Sequence, residues 1–325
     1  MLQIFRSNYA FINVLLAVLT GACGFFVFIC DIDYQHTDSG PLSFLLNEIP
    51  DSFRLVLGAA LLFAQGLILN TIVNNAPFAN KASSVPALIY ILASLYDPRS
   101  FYLQGDHIFI SLFMLGLLRL NKVMRNFSAI EHVFVYGVLI GIACLFYVPA
   151  FVAVIFAWIL LMVFRPFVWR EYLAPFIGFS IAPLLVIFVQ LFKHSGSLHL
   201  LGDKTHYGLI PEYTQKELWY LGILFAGIIL LLGLRYFIVN HSSSTVRIKK
   251  LGRINLLGLG YLAAILYLGV QFNYPVASFS AAGLLFAFVS AFYFMEVRKR
   301  PIIQSLIFYI LIGILIGQAT VTHIL

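Results

Sequence analysis

The sequence predicts an all-α fold: a polytopic transmembrane helix bundle of about eleven spans. Three observations predict it. Of the 325 residues, 62% are hydrophobic and 10% charged, a balance that soluble domains of this size do not carry. Apolar runs of about 20 residues, the length that crosses a bilayer core, recur from end to end. The runs are continuous rather than alternating, which excludes a β-barrel. No polar block or composition shift marks a second unit, so residues 1–325 read as a single integral membrane domain.

The first run covers 8–30. Within it "AVLTGAC", ending at Cys23, resembles a lipoprotein cleavage box, but Thr20 stands where an aliphatic residue is usual. The apolar run also continues through "GFFVFIC", and a cleaved signal does not carry its apolar stretch past the cut. The segment therefore reads as an uncleaved span. Next, "PLSFLLNEIPDSF" sets Leu42, Leu45, Leu46 and Ile49 at helical spacing. Too short to cross, it predicts a helix over 42–49 lying along the outer interface.

The second run, 54–75, contains Gln65, Asn70, Asn74 and Asn75, with Asn70 and Asn74 on one helical face. Amides inside a membrane join helices by hydrogen bonding; lining a polar cavity is the other reading. Runs three and four, 83–96 and 107–120, are short. They predict either a tilted pair or a re-entrant hairpin buried among other helices.

The remaining runs are 131–147, 148–165, 173–192, 217–239, 254–272, 276–294 and 303–322. Gly137/Gly141 and Gly313/Gly317 are small-xxx-small patterns that let helices approach closely. A dimer interface is the alternative. In "FRPFVWREYLAPFIGFSIAP", residues 164–183, Pro166 and Trp169 suit an interfacial elbow, and Arg165, Arg170 and Glu171 suit anchoring and local pairing.

The formal charge of +7 does not point to nucleic acid, because the basic residues fall in short loops between runs. With the N-terminus in the cytoplasm, fifteen of the twenty Lys and Arg lie inside, among them Arg119, Lys122, Arg125 and the "NHSSSTVRIKKLGR" loop at 240–253. Five lie outside: Arg54, Arg99, Lys193, Lys204 and Lys216. Ten of the thirteen acids fall outside as well. Positive residues concentrate on cytoplasmic loops, so the orientation is N-in, C-out in a bacterial inner membrane. Cys23, Cys30 and Cys144 sit in or at the ends of apolar runs and read as small hydrophobes.

Chemistry concentrates in the outer loops. Asp31 and Asp33 follow the first run directly. Asp-x-Asp can share a divalent cation or supply a general base, and it also occurs as a solvated loop charge. The loop "LYDPRSFYLQGDH", 95–107, offers Asp97, Arg99, Asp106 and His107 between the two short runs. If those runs are stunted, the loop dips toward the membrane and approaches Asp31, and Arg99 suits a lipid phosphate. A plain turn begun by Asp97-Pro98 is the alternative. The loop "KHSGSLHLLGDKTHYGLIPEYTQKE", 193–217, holds Lys193, His194, His199, Asp203, Lys204 and His206. Its histidines lack ligand spacing, so no metal site is expected there. Lys193 and Lys204 suit an anionic lipid head group. No acid–histidine relay runs along the spans, which counts against ion-coupled transport.

An acidic pair directly after span one, followed by a juxtamembrane helix, resembles the layout of the GT-C glycosyltransferases. That resemblance implies transfer of a sugar from a polyprenyl-phosphate carrier. Asp31 or Asp33 would activate the acceptor or hold a divalent cation, and Arg99 or Lys204 would hold the lipid phosphate. Asp97 and Asp106 form a second acidic cluster. Most of the chain also resembles a family of multi-pass Bacteroidota proteins with no established activity. The most recognisable part is "LLRLNKVMRNFSAIEHVFVYGVLIGIACLFYVPAFVAVIFAWILLMVFRPFVWREYLAPFIGF", residues 117–179. Some members have carried a carotene-oxygenase label, but this chain lacks four histidines placed for an iron. The sequence thus leaves three readings, in order: a GT-C-type transferase, a non-catalytic subunit of an envelope assembly or secretion complex, and a transporter. The partners implied are the bilayer, a polyprenyl-phosphate lipid and envelope proteins.

Overall fold

The structure is a computed structural model. It describes Phe5 and residues 10–29, 40–42, 44–75, 83–123, 128–192, 216–243, 246–271, 279–295 and 304–314. All regular elements among the described residues are helical. In order they are α1 (Ala10–Ile29), α2 (Phe44–Asn47), α3 (Asp51–Asn75), α4 (Val85–Ser94), a 3-10 turn (Pro98–Phe101), α5 (Gly105–Val123) and α6 (Ile130–Phe146). A second 3-10 turn (Val148–Val152) leads to α7 (Ala153–Phe164), α8 (Trp169–Phe192), α9 (Lys216–Ser243), α10 (Val246–Gln271) and α11 (Phe279–Met295). A last helix, α12, covers Gln304–Ile314.

Four helical segments are long and apolar enough to cross a membrane: Phe11–Ile29, Asp51–Asn75, Trp169–Phe188 and Ile248–Leu268. Shorter apolar helical stretches include Val85–Ser94, Ile130–Phe146, Ala282–Met295 and Gln304–Ile314. Large apolar side chains cover the outside of the bundle, including Phe11, Phe25, Phe53, Met162, Phe167 and Leu231. Helices that are apolar on every face suit a hydrocarbon surrounding. There, helices are favoured because each backbone N–H and C=O must be satisfied within its own segment.

Proline sets the breaks. Pro149 cannot continue α6 as a donor, and Tyr147 at the break is extended, with φ −142° and ψ 100°. The hydroxyls of Tyr136 and Tyr261 donate to the carbonyls of Ala153 (2.6 Å) and Val152 (3.0 Å), serving acceptors around the 3-10 turn. Arg165 is likewise extended, ahead of Pro166.

α6 and α8 pack backbone to backbone. Side chains at Gly137 and Gly141 would collide with the carbonyls of Pro175 and Phe179, and one at Gly178 with that of Phe134. Pro183 has no N–H to give the Phe179 carbonyl its i−4 hydrogen bond. The bare backbone of Gly141 is what that carbonyl meets instead. The first glycine pattern thus joins two helices of one chain. Gly313 faces open space, and Gly317 lies outside the described residues.

At one end of the bundle, Arg165 Nη1 meets Glu171 Oε1 at 2.9 Å, and its Nη2 donates to the Val123 carbonyl at 2.9 Å. Glu171 Oε1 also accepts the Ala129 N–H at 3.0 Å. The Arg165–Glu171 elbow therefore ties the end of α5 and the starts of α6 and α8 together. Arg119, Lys122, Lys249, Lys250 and Arg253 lie on the helix ends around it, and this is the basic end of the bundle.

Candidate functional site

α4 is the centre of the site. Nine of its ten residues are buried, and it packs between α3 and α11. At 1.5 Å per residue it is only about 15 Å long, half a bilayer core. The paired short runs are thus unequal: a stunted, protein-enclosed α4 and a 19-residue α5.

A short helix inside apolar surroundings must have its first N–H groups satisfied. Asn70 and Asn74 do this from α3. Asn70 Oδ1 accepts the Ala87 N–H at 2.9 Å, Asn74 Oδ1 accepts the Ser83 N–H at 3.1 Å, and Asn74 Nδ2 donates to the Ser83 carbonyl at 3.3 Å. The Phe5 carbonyl accepts the Ser84 N–H at 2.9 Å. The face shared by Asn70 and Asn74 is a docking face for α4. The cleft at this end is lined instead by their neighbours Thr71 and Asn75.

The chain leaving α4 stays deep. At Gly58 an added Cβ would lie 2.7 Å from the Leu103 nitrogen and would strike the Phe101 carbonyl. Leu103 N–H also donates to the Arg54 carbonyl at 3.1 Å. Gly58 is seven residues into α3, so the Phe101–Leu103 backbone sits about 10 Å below the start of that helix. Irregular backbone at such depth is tolerated where protein encloses it or a cavity borders it. Ser94, Asp97, Ser100, Gln104, Asp106 and His107 are all buried. The 95–107 loop is thus enclosed by protein, and Asp97-Pro98 opens its 3-10 turn, with the Ser100 N–H donating to the Asp97 carbonyl at 2.9 Å.

Its polar groups gather under α3. Gln65 Nε2 donates to the His107 carbonyl (3.0 Å) and to Ser111 Oγ (2.9 Å), and its Oε1 accepts the Tyr90 hydroxyl. Asp106 Oδ1 accepts the His107 N–H at 2.9 Å. The imidazole of His107 is fully buried in the field of Asp106 and Asp97, and neither ring nitrogen has a hydrogen-bond partner among the described residues. An unsatisfied buried polar atom costs about 1–3 kcal/mol, and buried acids inside apolar helices are expensive and usually functional.

Sequence reasoning singled out Asp97, Asp106, His107 and Gln65 but not Tyr90, Ser111 or Arg54. Tyr90 and Ser111 carry no local signal; only the packing of α4 and α5 on α3 brings them to Gln65. Arg54 is buried, with Nε donating to the Leu46 carbonyl at 2.8 Å and Nη1 3.9 Å from Asp51 Oδ1. Its signal was an arginine three residues into a helix after an acid. It holds α2, a single turn shorter than the 42–49 helix the spacing predicts, against the start of α3.

The end of α1 belongs to the same region. Gly24 faces Leu55, Ala59 and Phe101, with a Cβ there 3.5 to 3.9 Å from their side chains. Phe5, near the other end of that segment, meets Ser83 and Ser84 beside Asn74. α1 is therefore antiparallel to α3 and ends at Ile29 level with the first turns of α3. Asp31 and Asp33 come two and four residues later in the chain and lie outside the described residues. Lys204, the rest of the 193–215 loop and the Arg99 side chain lie outside them too. Among the described residues no three His, Cys, Asp or Glu side chains gather to hold a metal ion. The expectation of a divalent cation rests on Asp31 and Asp33.

No protein-family model matches the chain, and no match was found among curated proteins or among solved structures.

Proposed function

We propose that this chain is a multi-pass bacterial inner-membrane protein acting at the outer face as a polyprenyl-phosphate-dependent glycosyltransferase of GT-C type. The observation that carries the reading is positional: α1 ends, two residues ahead of Asp31, at the same end of the bundle as the recessed Asp97–Asp106–His107 cluster. Clustered basic residues at the other end support the orientation, since such residues stay cytoplasmic. In this reading about eleven helices run between the two faces, with α4 stopping short at a 95–107 loop recessed beneath the outer face.

One carboxylate of the Asp31/Asp33 pair takes the proton of the acceptor hydroxyl as its oxygen attacks the anomeric carbon of the donor. The bond from that carbon to the phosphate oxygen breaks, and polyprenyl phosphate leaves with the electron pair. Arg99 and Lys204 hold that phosphate. General-base help of this kind is worth about 10²–10⁴ in rate. The deeper Asp97, Asp106 and His107 fix the floor of the site beneath the lipid-facing entry.

A non-catalytic subunit of an envelope assembly is the second reading. It is favoured by the burial of Asp97, Asp106 and His107, which suits a structural polar core as well as a reactive one. Lipid extraction from a deletion strain separates the two. The transferase reading expects a polyprenyl-phosphate sugar to accumulate and an envelope glycan to shorten. Unchanged lipids and glycans, with loss of an envelope complex, give the place to the subunit.

A further inference from the structure

The basic end holds a feature that the outer site does not use. A cleft of about 440 Å³ opens there between α3, α5, α6 and α10. Its size is that of a small-ligand site. Arg119 and Lys122 stand exposed on its rim, and neither has an ion-pair partner among the described residues. None of its lining residues among the described residues is a carboxylate.

Deeper in, Asn121 Nδ2 donates to Asn255 Oδ1 at 2.8 Å. Both residues are more than nine-tenths buried, and both line the cleft. Asn121 Oδ1 and Asn255 Nδ2 have no hydrogen-bond partner among the described residues. Turning both amides end for end exchanges their roles but leaves the same remainder: one amide N–H₂ and one amide oxygen. A buried amide pair that needed only itself would sit better as two apolar side chains. The remainder asks for a ligand that accepts one hydrogen bond and donates another.

We propose that this cleft binds the phosphate head group of an anionic amphiphile that also carries a free hydroxyl, drawn from the leaflet at the basic end. The phosphate takes the Arg119 fork, the Lys122 ammonium and the free amide N–H₂. Guanidinium matches phosphate bidentately and ammonium serves it as a point charge. The hydroxyl donates to the free amide oxygen. Leu115, itself exposed to the surroundings of the bundle, and Leu139 provide an apolar side for the attached chain. The inference stands apart from the outer-face activity and survives its failure.

Native mass spectrometry of the purified full chain, delipidated in detergent, tests it with phosphatidylglycerol and phosphatidylcholine as equimolar probes. Phosphatidylglycerol is expected to be retained and phosphatidylcholine not. Losing charge-assisted contacts should weaken phosphatidylglycerol about 10–100-fold in Arg119→Gln/Lys122→Gln. Both residues are on the exposed rim, so the variant folds even where Asn255→Leu does not. Arg253→Gln, exposed on α10 but outside the cleft, should bind as the wild type does. Displacement by millimolar inorganic phosphate upholds phosphate recognition and makes a soluble phosphate ester the source; lack of displacement makes it the lipid. Equal retention of the two lipids, an unaffected rim variant, or an equal loss in Arg253→Gln overturns the proposal.

Discussion

Gln65 of α3 donates from Nε2 to the main-chain carbonyl of His107, the third residue of α5, at 3.0 Å. One amide thereby sets the depth at which α5 starts and, through the Tyr90 hydroxyl on its oxygen, the position of α4. The recessed 95–107 loop follows from this, since the helices on either side of it are both held to the same side chain. Gln65→Leu strips the Tyr90 hydroxyl of its acceptor, while the His107 carbonyl keeps the Ser111 hydroxyl at 2.9 Å. It should destabilise the protein by about 1–3 kcal/mol, read as a lower midpoint in thermal unfolding of detergent-purified protein. Adding Tyr90→Phe should recover part of that loss, because the orphaned hydroxyl is then gone.

Gly141 on α6 and the Phe179 carbonyl on α8 make a contact with no room for a methyl group. Gly141→Ala should part the helices and cost about 1–3 kcal/mol, whereas Gly313→Ala, which meets nothing, should be neutral. Parallel thermal scans of the two variants decide it; equal midpoints would show that the α6–α8 contact is looser than described.

Arg165 and Glu171 form a mostly buried pair that also accepts and donates to main chain. Removing one partner leaves a buried charge, so Glu171→Leu should cost about 3–5 kcal/mol. Arg165→Met/Glu171→Leu should cost less than the sum of the single changes. A double-mutant cycle by chemical denaturation measures the coupling, and strict additivity would mean that the pair is not coupled.

Much of the helix inventory was legible because a bilayer forces length and polarity on the chain. The predicted runs 54–75, 107–120 and 131–147 differ from α3, α5 and α6 by a few residues at most. The break at 147/148 was legible as a boundary between two runs, with Pro149 its physical reason, and the elbow was legible through Arg165 and Glu171. The cleft at the basic end was not: Asn121 and Asn255 are 134 residues apart, and nothing local marks either as a partner. Asn70 and Asn74 were legible as a polar face but not as the cap of the helix that begins at Val85, because that needs the packing of α4. Asp31 and Asp33 remain readable from the sequence alone.

The orientation has its own test. Ser243, at the end of α9, belongs to the side that carries the basic loop. A single cysteine placed there by Ser243→Cys, in a chain whose Cys23, Cys30 and Cys144 are changed to Ala, should resist a membrane-impermeant maleimide in intact cells and react after permeabilisation. Full labelling of intact cells would invert the topology and move the Asp97 end to the cytoplasm.

The central claim is that the acidic pair after α1 performs chemistry at the outer face. Asn keeps the shape of Asp and removes its charge, so Asp31→Asn/Asp33→Asn leaves folding intact while removing the base. The direct measurement is the lipid-linked sugar profile of a deletion strain complemented with wild type or with that double variant, at matched membrane levels. The account predicts that wild type clears the accumulated polyprenyl-phosphate sugar and the double variant leaves it as high as in the deletion. Complete clearance by the double variant would contradict the claim and leave the pair a solvated loop.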